Sequence, residues 1–552
     1  MSPLPWLKVY DDHVPAHLDY PGSDLYSLVE KAFRDAPAAP AVRFLGKTLT
    51  YVQLAGHAEN LAAHLFRYGI VPGDRVVLLL PNCPQFVIAW LALSRLGATA
   101  VLSDPVSVER ELLQQWRDAE AKAVIALDLL SQRIAGLGPS FRPEFIVYTS
   151  LARFLPPRLK AIYPLKRRLD PTMPAVKIPR DGPTFRFKDC LKRIGPCPRT
   201  DVDPDFPAVL IYIGGATGGP RGIMLSHRAL AVNARQTGAW AGLGPADLTL
   251  AVLPWCHGFG LSLGLITPLL HGSGVLVLPR FDARGLVKAV ADDQPTLLAG
   301  TPTMFQAVAS LPDLEKYDLS SLRGIFVGGA PLPAAVAAAF ERRTGRRLIE
   351  GYGLTEAVAA VAGHPLGGPP RPGTVGIPFP DVTWRIVDLE SGTKDLPPGQ
   401  AGEIVVRTPG LMTGYWRRPE DTARTIRDGW LYTGDVGVMD EDGYVTIVDR
   451  IKDLVKISGQ NVFPAEIDDV LHQHPLVAEA VAVGLPDPIQ GEYLKAYVVP
   501  RPGRDLDPED VLAFCRRNLA PYKVPREVVI RDQLPRGLVG KVLRRALRDE
   551  VA

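Results

Sequence analysis

The sequence predicts an α/β protein: a large N-terminal domain with two α/β subdomains and a small β-barrel, then a small α+β C-terminal domain. Three observations carry this reading. Helix-periodic segments alternate twice with short apolar runs, the pattern of a mostly parallel sheet flanked by helices. Beyond Val382 the texture changes to alternating strands separated by turn residues. After Arg450 a compact tail mixes helices and strands again.

Along the chain, "LVEKAFRDA" and "YVQLAGHAENLAAHLFRYG" place apolar residues at helical spacing, while "DRVVLLLP", "TAVLSD" and "AKAVIAL" read as buried strands. A second alternation runs from about Ala208 to Leu348, with strands at "AVLIYI", "GVLVLP", "TLLAG" and "GIFVGG". The longest uncharged run, Gly258 to Pro279, contains Pro268, His271 and repeated glycine. It reads as a buried helix, a turn and a strand rather than a membrane span. "VTWRIVD", "GEIVVRT" and "GYVTIVD", with "LPPGQ" and "DEDG" turns between them, make the small barrel. In the tail, "PAEIDDVLHQHP" and "PEDVLAFCRRNL" are helices opening on proline, a favourable first-turn residue, and "EAVAVG" and "KAYVVP" are strands. The boundary falls at Asp449 to Lys452, giving domains 1–449 and 450–552.

At 552 residues the chain exceeds what one hydrophobic core serves. A formal charge of +3 is small for that length and offers no field for nucleic acid. Cys83, Cys190, Cys197, Cys256 and Cys515 are scattered without CxxC spacing, which argues for a reducing compartment and against structural zinc. "MSPLPWLKVYDDH" shows no basic stretch followed by an apolar one, so a cytoplasmic setting is expected. Residues 153–199 are proline-rich and strongly basic, with only Asp170, Asp181 and Asp189 in opposition. The plainer reading is a solvated excursion. The sharper one is contact with an anionic membrane surface, peripherally at the inner membrane face.

"IYIGGATGGPRGIMLSHR", Ile211 to Arg228, crowds Gly214, Gly215, Gly218, Gly219 and Gly222 into one loop beside Arg221. It is no Walker A motif, because Pro220 and Arg221 follow Gly219, and it contains no GxGxxG. The next helix begins only after Ser226, a good N-cap, so a helix dipole cannot do most of any phosphate binding. A nest of backbone N–H groups would have to supply it. On this loop alone a simple glycine turn stays equally open.

Four further motifs follow in order: "GYGLTEA" at Gly351 to Ala357, "YTGD" at Tyr432 to Asp435, "DRIKDLVKISGQNVFPAEI" at Asp449 to Ile467 and "GKVLRR" at Gly540 to Arg545. With the loop, they make the chain resemble the adenylate-forming superfamily of acyl-CoA synthetases, adenylation domains and luciferases over nearly its whole length. "LPNCPQFVIAWLALSRLGA", "LPWCHGFGLSLGL" and "LPPRLKAIYPLKRRL" look most like bacterial medium- and long-chain fatty-acid–CoA ligases.

That resemblance implies an ATP-dependent acyl-CoA synthetase. A carboxylate would form acyl-adenylate and pyrophosphate, and the CoA thiol would then displace AMP. It implies ATP, CoA and a small carboxylic acid as substrates and Mg²⁺ as cofactor. Gly215, Thr217, Gly218 and Arg221 would hold phosphates; Thr355 would bond the α-phosphate; Glu356 would ligate Mg²⁺, which takes few carboxylates. Tyr352, Gly329 and Ala330 would wall the adenine, and Asp435 and Arg450 would take the ribose, with Asp435 following the logic of ribose-binding acids. Gly459 would line the pantetheine channel. Lys541 matches the mobile catalytic lysine, carried by a tail domain that rotates about a hinge at Lys452. His257 resembles the position near the reacting carboxylate, a satisfied core histidine being the alternative. An acid pocket is expected near residues 255–261, 301–306 and 328–332, and a homodimer is carried as a further expectation. The basic segment 153–199 has CoA phosphate as its alternative partner.

The loop departs from the family's usual Tyr-Thr-Ser/Gly-Gly-Thr-Thr-Gly-x-Pro-Lys-Gly. Ile213 and Ala216 lack hydroxyls, and Arg221 replaces lysine. The expectation is a working enzyme with a weakened grip on ATP. Two other readings stand beside it: an acyl-AMP ligase that loads a carrier protein, and a non-catalytic nucleotide- or acyl-binding relative.

Overall fold

The computed structural model describes residues 4–20, 22–138, 141–169, 174, 176–178, 183–214, 220–369, 371–457, 460–488, 490–536 and 542–550. Two large sheets dominate. One has eight strands in the spatial order Gly414–Tyr415, Pro220–Ser226, Pro207–Gly214, Thr99–Leu102, Arg75–Leu79, Ala123–Leu127, Phe145–Thr149 and Thr184–Arg186. From Pro207–Gly214 onward its neighbours are parallel. The other has nine, in the order Ile377–Pro378, Ala362–Gly363, Ile349–Tyr352, Gly324–Val327, Leu297–Gly300, Leu248–Ala251, Gly274–Val277, Pro40–Phe44 and Lys47–Thr50. Its run from Ile349–Tyr352 to Pro40–Phe44 is parallel. Such strands, covered on both faces, need the continuous apolar runs seen in the sequence. Helix Pro84–Leu96 is buried almost all round and joins residues of both sheets in the largest core.

The sheets exchange strands. Pro207–Gly214 pairs with Thr99–Leu102 in the first sheet, and Pro40–Phe44 pairs with Gly274–Val277 in the second. The second alternation, read from about Ala208 to Leu348, therefore sends its first strand to one sheet and its later strands to the other. An apolar run predicts a buried strand but does not say which sheet receives it.

Thr383–Val387, Ala401–Arg407, Ile426–Arg427, Trp430–Met439 and Val445–Arg450 build a five-stranded antiparallel half-barrel. Strands from Val455–Ile457 to Glu527–Ile530 form a separate five-stranded sheet on its own core of Val455, Ile467, Leu494 and Val511. Helices Pro464–His472 and Pro508–Asn518 both start on proline, as expected. The uncharged run from Gly258 is a helix interrupted by a π-turn at Ser262–Ile266, then the strand Gly274–Val277. Among the described residues no helix is long and apolar enough to cross a membrane.

Part of the basic segment, residues 184–190, packs on the body of the protein. Thr184–Arg186 is an edge strand of the eight-stranded sheet, Phe187 and Cys190 are buried, and Phe185 stacks on Tyr68 at 3.8 Å. Three aromatic and sulfur anchors outweigh the charge around them. Helix Pro157–Leu169, by contrast, lies largely in solvent.

Candidate functional site

The parallel strands of the nine-stranded sheet end together at Gly300, Val327 and Tyr352, and the loops after them face a common crevice, the usual place for a ligand in such sheets. Backbone proximity shapes its floor. A Cβ on Gly353 would collide with the Ala359 carbonyl, and one on Gly258 with the Val358 carbonyl, so both positions require glycine. Val358 itself sits at φ +71°, a strained conformation for a β-branched residue. The Thr355–Ala357 turn therefore folds back tightly, with the His257–Gly258 segment docked on it.

Buried asparagines fix that segment. The Asn82 side chain donates to the Leu253 carbonyl (2.8 Å) and accepts from the Trp255 N–H (2.9 Å). Asn233 donates to the Ala360 carbonyl (2.7 Å) and accepts from the Ser262 hydroxyl (2.7 Å). His257 Nδ1 accepts the Phe259 N–H (3.3 Å), and burial lowers its pKa, so a neutral imidazole borders the turn.

Asp435 and Arg450 face each other across paired strands, and Arg450 Nε lies 2.9 Å from Asp435 Oδ1. The Tyr352 hydroxyl donates to Asp435 Oδ2 at 2.7 Å. Tyr352 thus ties the large sheet to the half-barrel, and it belongs to the same buried core as Trp384 and Ala357. Gly329, at φ +81°, and Ala330 follow the neighbouring strand end. Lys452 is exposed in the short turn Ile451–Asp453 between the half-barrel and the last sheet, and its neighbour Asp453 holds Arg548 at 2.9 Å.

Arg221 lies directly opposite Ile213 in an antiparallel hairpin. Its Nε is 3.4 Å from Asp421, and its guanidinium stands 5.7 Å from the Tyr415 ring centre. Ile213 packs against the main core, which accounts for an apolar side chain there. Gly215, Thr217, Gly218, Gly459 and Lys541 lie outside the described residues, as does Ala216.

Sequence reasoning missed Tyr415. Its hydroxyl donates to Glu356 Oε1 at 2.9 Å, and its strand pairs with Ile223 and Met224 just after Arg221. One residue thereby joins the expected metal ligand to the phosphate-loop cation. Among the described residues no cage of three or more His, Cys, Asp or Glu exists. A single oriented carboxylate suits Mg²⁺, whose other positions go to phosphates and water. Tyr415→Phe keeps the ring and removes the bond. A hydrogen bond to a charged group is worth about 1.5–3 kcal/mol, so kcat/KM for ATP should fall roughly ten- to a hundredfold, with a raised Mg²⁺ requirement. Steady-state kinetics across Mg²⁺ concentrations check this; unchanged values would contradict it.

Glu350, also missed, accepts the Leu332 N–H at 2.9 Å and so anchors the loop after Gly329. Burial pushes its carboxyl from 4.5 up to about 7. The stability it contributes is present below about pH 4.5 and is lost as pH rises through 7. Glu350→Gln keeps the acceptor and cannot ionise. Its thermal stability should match the parent at pH 4 and exceed it at pH 8, by an amount on the order of 3 kcal/mol. Parallel melting curves at both pH values would contradict this.

A glycine-floored crevice with a fixed aspartate, a fixed glutamate and a cation on a hairpin defines a nucleotide-using α/β enzyme. The AMP-binding enzyme model matches residues 29–416, and the AMP-binding enzyme C-terminal domain model matches residues 466–541. The chain is 37% identical to a long-chain-fatty-acid–CoA ligase of Bacillus subtilis (strain 168), over 100% of this chain and 98% of the relative. It is 36% identical to a feruloyl-CoA synthase of Amycolatopsis sp, over 93% and 96%. The crystal structure of ATP-bound MatB from Rhodopseudomonas palustris superposes with a TM-score of 0.82 at 29% identity, covering 95% of this chain and 98% of that one. The chain belongs to the AMP-binding enzyme family. Its activity is that of an AMP-forming acid–thiol ligase, with ATP and CoA as substrates.

Proposed function

We propose that this ligase activates monocarboxylic acids with an apolar tail. The carrying observation is the composition of the segments expected to line the acid pocket: residues 255–261, 301–306 and 328–332 contain no Asp, Glu, Lys or Arg, and burial keeps His257 neutral. A second carboxylate would therefore be buried there without a partner, at a cost of several kcal/mol. An aliphatic or aryl tail has no such penalty. The names of the fatty-acid and feruloyl relatives accord with this.

In the reading we favour, a carboxylate oxygen attacks the α-phosphorus of ATP, the bond to the β-phosphate oxygen breaks, and pyrophosphate leaves. The CoA sulfur then attacks the acyl carbon, the bond to AMP breaks, and the thiol proton passes to solvent. Thr355 bonds the α-phosphate, Asp435 accepts from the ribose hydroxyls, and Arg221 with the glycine loop holds the outer phosphates. Tyr352, Gly329 and Ala330 border adenine, with Arg450 beside the ribose. Glu356, oriented by Tyr415, would hold Mg²⁺, which supplies charge neutralisation on the phosphates. His257 borders the acid. Residues 1–449 form the adenylating domain, and 450–552 the domain that brings in Lys541 and, with Gly459, the pantetheine path, turning at Lys452. Five free cysteines support a cytoplasmic setting, with peripheral contact to the inner membrane face through residues 153–199.

Pyrophosphate release across aliphatic, aryl and dicarboxylic acids, with and without CoA, tests the substrate class. Apolar monocarboxylates should support turnover and dicarboxylates should not. A preference for dicarboxylates would overturn the assignment.

A further inference from the structure

Helix Pro157–Leu169 has an apolar face that the described residues leave exposed. Leu159, Ile162, Leu165 and Leu169 are 47%, 55%, 58% and 71% exposed, although most leucines and isoleucines of this protein are buried. Their three- and four-residue spacing puts them on one side of the helix. Among the described side chains of the helix, Tyr163 and Arg167 turn toward the body, where Arg167 Nη1 lies 3.8 Å from Asp128. Arg158, Lys160 and Arg168 are exposed around the apolar side, and the helix carries no acidic residue. At its base Lys47, Arg153 and Lys160 crowd together: Lys47 is held below the usual lysine range by partial burial and then by the other two cations. The neighbouring hairpin tip adds exposed Leu45, and Gly46 abuts Pro156.

We propose that this helix is an interfacial element that lies in the headgroup region of an anionic bilayer. The inference rests on peripheral membrane contact through residues 153–199 and assigns it to one face. Exposed leucines flanked by arginines and lysines match a helix lying in the membrane plane, with apolar side chains in the acyl boundary and cations on lipid phosphates. The helix spans about 20 Å, long enough to lie on the surface and too short to cross it. The leucine face distinguishes a bilayer from a free phosphate or CoA, which the cations alone would serve. A ligase for apolar acids anchored there would meet its substrate where such acids partition.

The test is co-sedimentation of the full-length enzyme with vesicles of phosphatidylglycerol mixed with phosphatidylcholine, against phosphatidylcholine alone. The wild type should bind the anionic vesicles and bind neutral ones on the order of tenfold or more weakly, since each basic residue near such a surface adds measurably. Ile162→Glu with Leu165→Glu, and separately Arg158→Glu with Arg168→Glu, should each lower binding at least about tenfold. Both pairs are exposed, so vesicle-free turnover of a short, soluble acid should be unchanged; that activity also reports separately on the ligase reading. Binding that survives both pairs would leave membrane contact standing and overturn the helix assignment. Loss only with the charge pair would overturn the interfacial geometry, and no binding by the wild type would overturn the helix and the contact together.

Discussion

Replacing Lys541 by alanine is expected to slow acyl-adenylate formation roughly 10²- to 10³-fold, while thioester formation from preformed acyl-adenylate stays within a few fold. The first half-reaction gathers negative charge from a carboxylate and an α-phosphate, and a flexible ammonium brought between them neutralises both. The second half-reaction has no such encounter, since the adenylate already exists. The flanks of the lysine are firmly attached: Arg536 pairs with Val542, and Arg544 lies 2.6 Å from half-buried Asp468. Single-turnover measurements of each half-reaction decide the matter. Equal loss in both would make Lys541 a structural residue.

Asp435→Asn should raise the KM for ATP by one to two orders of magnitude and leave the KM for CoA nearly unchanged. Asp435 is only 5% exposed, and its two oxygens already receive Tyr352 and Arg450, which fixes them where vicinal hydroxyls could add to the same carboxylate. Asparagine keeps the shape but removes the charge opposite Arg450 and leaves one oxygen instead of two. Isothermal titration with a non-hydrolysable ATP analogue reads binding apart from turnover. An unchanged ATP affinity with lost kcat would contradict the ribose assignment.

Much of this protein is written in local sequence. The strands Arg75–Leu79, Thr99–Leu102 and Ala123–Leu127 are fully apolar or nearly so because they are covered on both faces, and that alone predicts them. Ser226 could be read as an N-cap, and its hydroxyl accepts the Ala229 N–H at 3.1 Å. The order of motifs around Gly351, Asp435 and Asp449 pointed to the family. Long-range placement was not legible. The exchange of Pro40–Phe44 and Pro207–Gly214 between sheets depends on edge pairing, for which an apolar run carries no signal. Tyr415 meets Glu356 across 59 residues, and Asn82 reaches Leu253 across 171; neither has a periodic neighbour to mark it. Tyr415 does sit in the short aromatic motif "GYW", the one sign in the sequence that it faces something particular. The absent hydroxyl at Ile213 was visible, but only the packing of its side chain on the main core gives it a structural reason.

Acyl-adenylate is the intermediate that distinguishes this reaction. Enzyme given ATP, Mg²⁺ and an apolar monocarboxylic acid without CoA, then quenched and analysed by mass, should contain acyl-adenylate and pyrophosphate. Adding CoA to a parallel sample should discharge the adenylate into acyl-CoA and AMP. Acyl-CoA formed with ADP and phosphate, or no acyl-adenylate before CoA is added, would contradict the adenylate route.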